Sequence, residues 1–235
     1  NDYSDGKKGT DDVRVGPMRL VGSGTASAKS VFIAMLISFA IAGLAGIYVA
    51  SQSTWWMILV GAVCIALAYL YTGTKFAYGY FGFGELVVFI CFGLVATVGT
   101  YFVLTNQVTL ILIVASFIPG LFSVAILLAN NIRDIDSDRE SNKKTLPARV
   151  GNKVATALFN FCIFFIFIAI VIIGFKYHYA WIALIISPFI GTLNIKINAA
   201  KTPRDYIDIL IKTSKLNLIT SILVASTIVI SALVS

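Results

Sequence analysis

Seven stretches of this chain run for about the length that crosses a bilayer, roughly 20 residues, without an acidic or basic side chain. They cover approximately 31–50, 54–71, 86–104, 108–129, 154–175, 178–195 and 216–234. Inside lipid no water is available to the backbone, so each stretch must satisfy its own N–H and C=O groups and is read as a helix. Pro119 and Pro188 fall inside two of the stretches and predict kinks there. Charged residues make up 12% of the chain, about half their share in soluble globular domains. A chain this apolar cannot be solvated on every side. The fold class that follows is all-α and integral to the membrane, a multi-helix transmembrane bundle.

The charges orient the bundle. If the helices alternate in direction, 17 of the 18 Lys and Arg fall in loops on one side, and Lys176 stands alone on the other. The positive-inside rule then puts the rich loops in the cytoplasm, as expected of a multi-pass plasma-membrane protein. All 11 acidic residues lie on that same side, counting Glu85 with its loop. Acids carry little topological weight, so their clustering points to chemistry at one membrane face. The net charge of +7 reads as orientation and anion handling. The basic residues are divided among membrane loops, and no nucleic-acid partner is expected. Cys64, Cys91 and Cys162 fall in apolar runs without CxxC spacing, which argues for small buried hydrophobes rather than a metal or disulfide framework.

Two acidic clusters stand out. The first is Asn1-Asp2-Tyr3-Ser4-Asp5, followed by Lys7, Lys8, Asp11, Asp12, Arg14 and Arg19. On a helix Asn1, Asp2 and Asp5 fall within about 100° of one face. The second runs from Asn130 to Glu140, directly after an apolar stretch. If that helix continues, Asn131, Asp134, Asp138 and Asn142 share a face, and Asp136 points away from it. Carboxylates on one face repel one another unless a cation sits among them. A few hard oxygen ligands suit Mg²⁺, which usually also takes substrate phosphate oxygens. Basic residues follow each cluster: Lys7, Lys8 and Arg14, then Lys143, Lys144 and Arg149. Two metal-loaded acidic faces with cations closing around them suit a diphosphate. Lys7-Lys8 leading to Arg14-Val15-Gly16 echoes Lys143-Lys144 leading to Arg149-Val150-Gly151, as an internal repeat would.

These residues resemble a known family. The opening segment through Arg14-Val15-Gly16-Pro17-Met18-Arg19 resembles the first aspartate-rich motif of UbiA-type prenyltransferases, of the branch that prenylates 1,4-dihydroxy-2-naphthoate. Residues 130–146, Asn-Asn-Ile-Arg-Asp-Ile-Asp-Ser-Asp-Arg-Glu-Ser-Asn-Lys-Lys-Thr-Leu, resemble its second. The stretch 82–89 resembles the start of its middle helix, and 210–216 resembles its closing segment. The resemblance implies one UbiA-type domain over 1–235, in a fold of nine membrane helices around a cavity whose cytoplasmic mouth carries both motifs. By position, Asn1, Asp2 and Asp5 would hold one Mg²⁺-diphosphate face, and Asn131, Asp134 and Asp138 the other. Lys75, in Tyr71-Thr72-Gly73-Thr74-Lys75, would meet the diphosphate or else serve only as a topogenic loop lysine. The implied reaction joins a polyprenyl diphosphate to dihydroxynaphthoate in menaquinone synthesis, with membrane lipid around the enzyme. The first motif of the family follows its second helix, so the domain is expected to be N-terminally incomplete. Asn1, Asp2 and Asp5 would then lie on a frayed chain end, and the chain alone is expected to be inactive or very weak.

Two rivals remain at this point. One is a UbiA-type enzyme with another acceptor, such as hydroxybenzoate or a haem. The other is an organic-anion transporter, although such proteins place polar groups near mid-membrane and only Asn160 and Asn194 do so here. His178, Trp55, Trp56 and Trp181 suit the opposite interface. The aromatic loop 76–83 either lies among headgroups, the preferred reading, or lids the cavity. Asp205 and Asp208, with Lys201 and Arg204, read as a solvated loop.

Overall fold

A computed structural model describes residues 2–7, 18–74 and 77–234. Each apolar stretch forms a helix, and two short helices carry the acidic clusters. In chain order these are α1 (Asp2–Lys7), α2 (Ala28–Gln52), α3 (Met57–Leu70), α4 (Gly84–Thr105), α5 (Leu110–Arg133), α6 (Ile135–Glu140), α7 (Leu146–Lys176), α8 (His178–Ala199) and α9 (Pro203–Val234). No strand occurs among the described residues. Six of the seven apolar helices are long enough to cross a membrane. The exception is α3, whose 14 residues span about 21 Å at 1.5 Å per residue, short of a hydrocarbon core of roughly 30 Å.

The packed centre is α5. Its Ile118, Phe122 and Leu128 are buried with Phe159, Ile163, Ile166, Ile170 and Ile173 of α7 and Ile209 of α9. α4 reaches α5 through two glycines. A Cβ on Gly93 would stand 2.9 Å from the Gly120 Cα and equally close to the Ser116 carbonyl oxygen. Small residues at such a crossing let backbones touch, which is how helices gain packing energy in lipid. Around this contact α4 is wound as a π-helix, Phe89–Gly99. The outer surface keeps its apolar side chains. Ile37, Ile41 and Leu44 of α2 are exposed, as suits a helix solvated by acyl chains.

The prolines behave differently from each other. Pro119 lies within α5, which continues through it. Pro188 sits in the first turn of the α-helical part of α8, Ser187–Ala199, after a 3₁₀ segment, His178–Ile186. A first-turn proline loses no helical hydrogen bond, so the expected kink is a junction between two helix types. A further bend comes at Gly151, whose φ of 82° interrupts α7. Thr109 caps α5 by accepting from the Leu112 amide, and Ser27 caps α2 by accepting from Ser30.

The loops rich in charge meet at one end of the bundle. The Lys144 amide donates to the Tyr80 carbonyl at 2.9 Å, joining the α6–α7 loop to the α3–α4 loop. Asn152 of α7 donates to the Tyr206 hydroxyl of α9 at 3.0 Å. This end carries the candidate site.

Candidate active site

The second motif does not continue as one helix. α5 ends at Arg133, Asp134 sits at φ −98° between helices, and α6 restarts at Ile135. The break turns Asp138 inward nonetheless. Its carboxylate accepts from the Thr145 hydroxyl at 2.9 Å, and it is buried, whereas Asp136 is exposed. Asn142, expected on the same face, has instead left the helix at a φ of 55° and is exposed.

The first motif is drawn to the second. α1 packs so closely on the following turn that a Cβ on Gly6 would lie 2.6 Å from the Val21 side chain. The Asp2 carboxylate accepts from the Leu20 and Val21 amides, each at 3.0 Å. What burial there is opposes its charge, but those amides and the Arg19 guanidinium outweigh it and hold its pKa below the ordinary aspartate value. Asp5 is buried, accepts from the Tyr80 hydroxyl, and lies 3.2 Å from the Lys143 ammonium. Lys143 also sits over the Tyr80 ring, 5.0 Å from its centroid. The frayed end expected of these aspartates is therefore replaced by anchors supplied from downstream.

Asp5, Asn131, Asp134 and Asp138 line one cavity with Arg19, Lys143, Tyr71 and Tyr80. Its volume is about 60 Å³. Arg133, with its side chain 1% exposed, grips Asp134 in a fork: Nε to Oδ1 and Nη2 to Oδ2, both at 2.7 Å. Its Nη2 also donates to the Asn130 Oδ1 at 2.9 Å. Tyr71 is held as a neutral phenol, its pKa pushed up chiefly by burial and then by Glu85 nearby. Tyr78, against whose ring Tyr71 packs at 5.5 Å, is pushed up to about 12 by burial.

A second cavity of about 400 Å³ adjoins the first. Leu86, Phe89, Phe117, Leu128 and Phe161 line it, and Glu85 stands at its head. Glu85 was counted above with the loops. It is the second residue of α4, buried, and its Oε1 accepts from the Asn131 Nδ2 at 3.0 Å. One hydrogen bond thus links the polar cavity to the apolar one.

Other expected site residues lie elsewhere. Asp2 does not line the cavity but ties α1 to residues 20–21. Lys7 is exposed above the Tyr3 ring. Lys144 and Arg149 are exposed, and the Arg149 Nε donates to the Lys144 carbonyl. Asn1, Lys8, Arg14 and Lys75, and with them the first half of the basic echo except Lys7, lie outside the described residues. The aromatic loop divides: Tyr80 lids the acidic cavity, contrary to the preferred headgroup reading. Gly79 lets this loop pass close to Tyr71, since a Cβ there would meet the Tyr71 carbonyl at 2.7 Å. Asp205 and Asp208 lie on the opening turns of α9 and not in a loop, although Asp208 bridges Lys196 and Lys212 in the open.

Magnesium can be tested against these donors. Among the described residues, no three acidic side chains stand close enough to cage an ion unaided. Mg²⁺ seldom needs such a cage, since it is commonly held by one or two carboxylates, waters and substrate phosphates. Carboxylate and amide oxygens from two motifs around one cavity fit that mode.

Carboxylates, amides and cations at one mouth of a multi-pass helical bundle, beside an apolar cavity, define a membrane protein with a polar site at one end of the bundle. Residues 1–216 match the UbiA prenyltransferase family, and the chain belongs to it. It is 49% identical over 152 residues to the 1,4-dihydroxy-2-naphthoate octaprenyltransferase of Mycobacterium tuberculosis, covering 65% of this chain and 52% of that one. It is 36% identical over 159 residues to the Bacillus subtilis protein of that name, covering 67% and 51%. It is 28% identical over 151 residues to the 2-carboxy-1,4-naphthoquinone phytyltransferase of Synechocystis, covering 63% and 49%. The chain spans about half the length of the curated relatives it matches. No solved structure matches it.

Proposed function

We propose that the chain, a UbiA-type domain, transfers a polyprenyl group from polyprenyl diphosphate to 1,4-dihydroxy-2-naphthoate, at the cytoplasmic face of the plasma membrane, in menaquinone synthesis. The anchoring of Asp2 and Asp5 removes the ground given above for expecting inactivity. The observation that carries the reading is the gathering of Asp5, Asn131, Asp134 and Asp138 around one cavity with Lys143 and Arg19. The acceptor is taken from the three relatives named above, whose names specify a dihydroxynaphthoate or a carboxynaphthoquinone.

The donor's diphosphate would sit among the acidic residues, and its tail would lie along the cavity lined by Leu86, Phe89, Phe117 and Phe161. Bound Mg²⁺, held by Asp5, Asn131, Asp134 and Asp138, would neutralise the leaving diphosphate. Lys143 and Arg19 hold charge on that group as the allylic C–O bond breaks. The Tyr71 hydroxyl lines the same cavity and would be a donor available to the diphosphate. The allylic carbon is then taken by the ring carbon that bears the carboxylate. The C–C bond to that carboxylate breaks, its electron pair restores the ring, and carbon dioxide leaves. The apolar lining keeps water from the cation.

The reading ranks two aspartates. Asp138→Ala is expected to abolish transfer while the protein stays folded in detergent, and Asp136→Ala to leave most of it. Near-normal turnover by the Asp138 variant at ordinary Mg²⁺ would sink the assignment.

A further inference from the structure

Adjacent asparagines at the cavity are turned in opposite senses. Asn130 presents its Oδ1 to Arg133, so its oxygen is already engaged by a guanidinium. Asn131 presents its Nδ2 to Glu85, so its oxygen is the end left to accept. An amide is nearly symmetric in shape but not in charge, and a cation binds its oxygen and is repelled by its NH₂. Which end faces the cavity is therefore set by what holds the other end.

Glu85 is placed for that task. It is buried at 6% exposure, on the second residue of a membrane helix. A carboxylate there is costly unless a hydrogen bond compensates it, and its bond to Asn131 is buried too. The close Gly93–Gly120 contact holds α4, which carries Glu85, against α5, which carries Asn131. In this geometry the Glu85 oxygen accepts from the Asn131 NH₂, and the ionised carboxylate, having no proton to donate, cannot serve the amide oxygen instead.

We infer that Glu85 is a positioning residue that locks the Asn131 amide with its oxygen toward the acidic cavity, making Asn131 rather than Asn130 the neutral oxygen ligand. This rests on the metal-diphosphate reading above. Partners of this kind, one bond removed from the metal, commonly set affinity by about 10- to 100-fold.

The test is a titration with Mn²⁺ and inorganic diphosphate, followed by the Mn²⁺ electron paramagnetic resonance signal of the protein in detergent. Glu85→Met removes the acceptor at similar length and is expected to raise half-saturating Mn²⁺ by about 10-fold or more. Glu85→Gln keeps an oxygen that can take the Asn131 NH₂, and is expected to bind nearly as the parent does. Adding Asn131→Asp to Glu85→Met supplies oxygen at both ends and is expected to restore affinity. Where Glu85→Met does not fold, as read by its melting curve, Glu85→Ala is measured in its place. Parent-like affinity in the Met variant overturns the inference alone. Loss in the Gln variant equal to that in the Met variant also overturns it, since charge and not amide orientation would then matter. Failure of the parent protein to bind Mn²⁺ overturns the metal reading itself.

Discussion

At the residue scale, Arg133 is the side chain whose surroundings most limit what can replace it. It is almost fully buried, and its fork spans both oxygens of Asp134 while reaching Asn130. A lysine cannot reproduce that geometry, having one ammonium in place of a planar fork. Removing one partner of a fully buried pair costs about 3–5 kcal/mol, and less is lost here because Asp134 is part-buried at the polar cavity. Arg133→Ala is therefore expected to lower the melting temperature in detergent, and Arg133→Lys to recover little. A melting curve for Arg133→Ala that overlays the parent would show that Asp134 needs no such partner. Much at this scale was visible beforehand. Asp5, Asn131, Asp134 and Asp138 were picked out by helical periodicity and motif, and they share one cavity. Asp2 was not separable from Asp5 by the same reasoning, because its role depends on amides 18 and 19 residues away. Glu85 was obscured by its position at a loop–helix boundary, where counting charges says nothing of burial.

At the element scale, the α4–α5 crossing carries the architecture of the site, since α4 brings Glu85 and α5 brings Asn131. Neither Gly93 nor Gly120 has room for a side chain. A Cβ on Gly120 would lie 3.0 Å from the Gly93 Cα and from the Phe89 ring. Gly120→Val is expected to force the helices apart, destabilising the protein by roughly 1–3 kcal/mol as overpacking does. It should also weaken Mn²⁺ binding, because Glu85 would withdraw from Asn131. Unchanged melting and unchanged Mn²⁺ affinity together would contradict this. The apolar runs foretold that each of the membrane helices exists, but α7 starts 8 residues and α9 13 residues before its run, because both helices continue into the charged end of the bundle. The runs did not foretell the π-wound stretch of α4, the 3₁₀ start of α8, or the halt at Asp134. Those depend on what packs alongside and not on hydropathy.

At the scale of the whole molecule, the acidic and basic loops gather at one end, and Lys176 lies at the other, above the Tyr177 ring. In the proposed orientation the crowded, basic end faces the cytoplasm. Cysteines introduced at Gly9, Ser141 and Thr202 should label only from inside, and one at Tyr177 from outside. Labelling of Ser141 from outside would reverse the orientation. The central claim is that two acidic motifs and an apolar cavity together transfer a prenyl group to a naphthoate. It is tested most directly by incubating membranes carrying the protein with radiolabelled polyprenyl diphosphate and 1,4-dihydroxy-2-naphthoate, in Mg²⁺ or in EDTA. The account predicts a labelled prenyl-naphthalenediol and matching carbon dioxide in Mg²⁺, neither in EDTA, and no product from 4-hydroxybenzoate. Labelled product from hydroxybenzoate but not from the naphthoate, or transfer undiminished in EDTA, would contradict it.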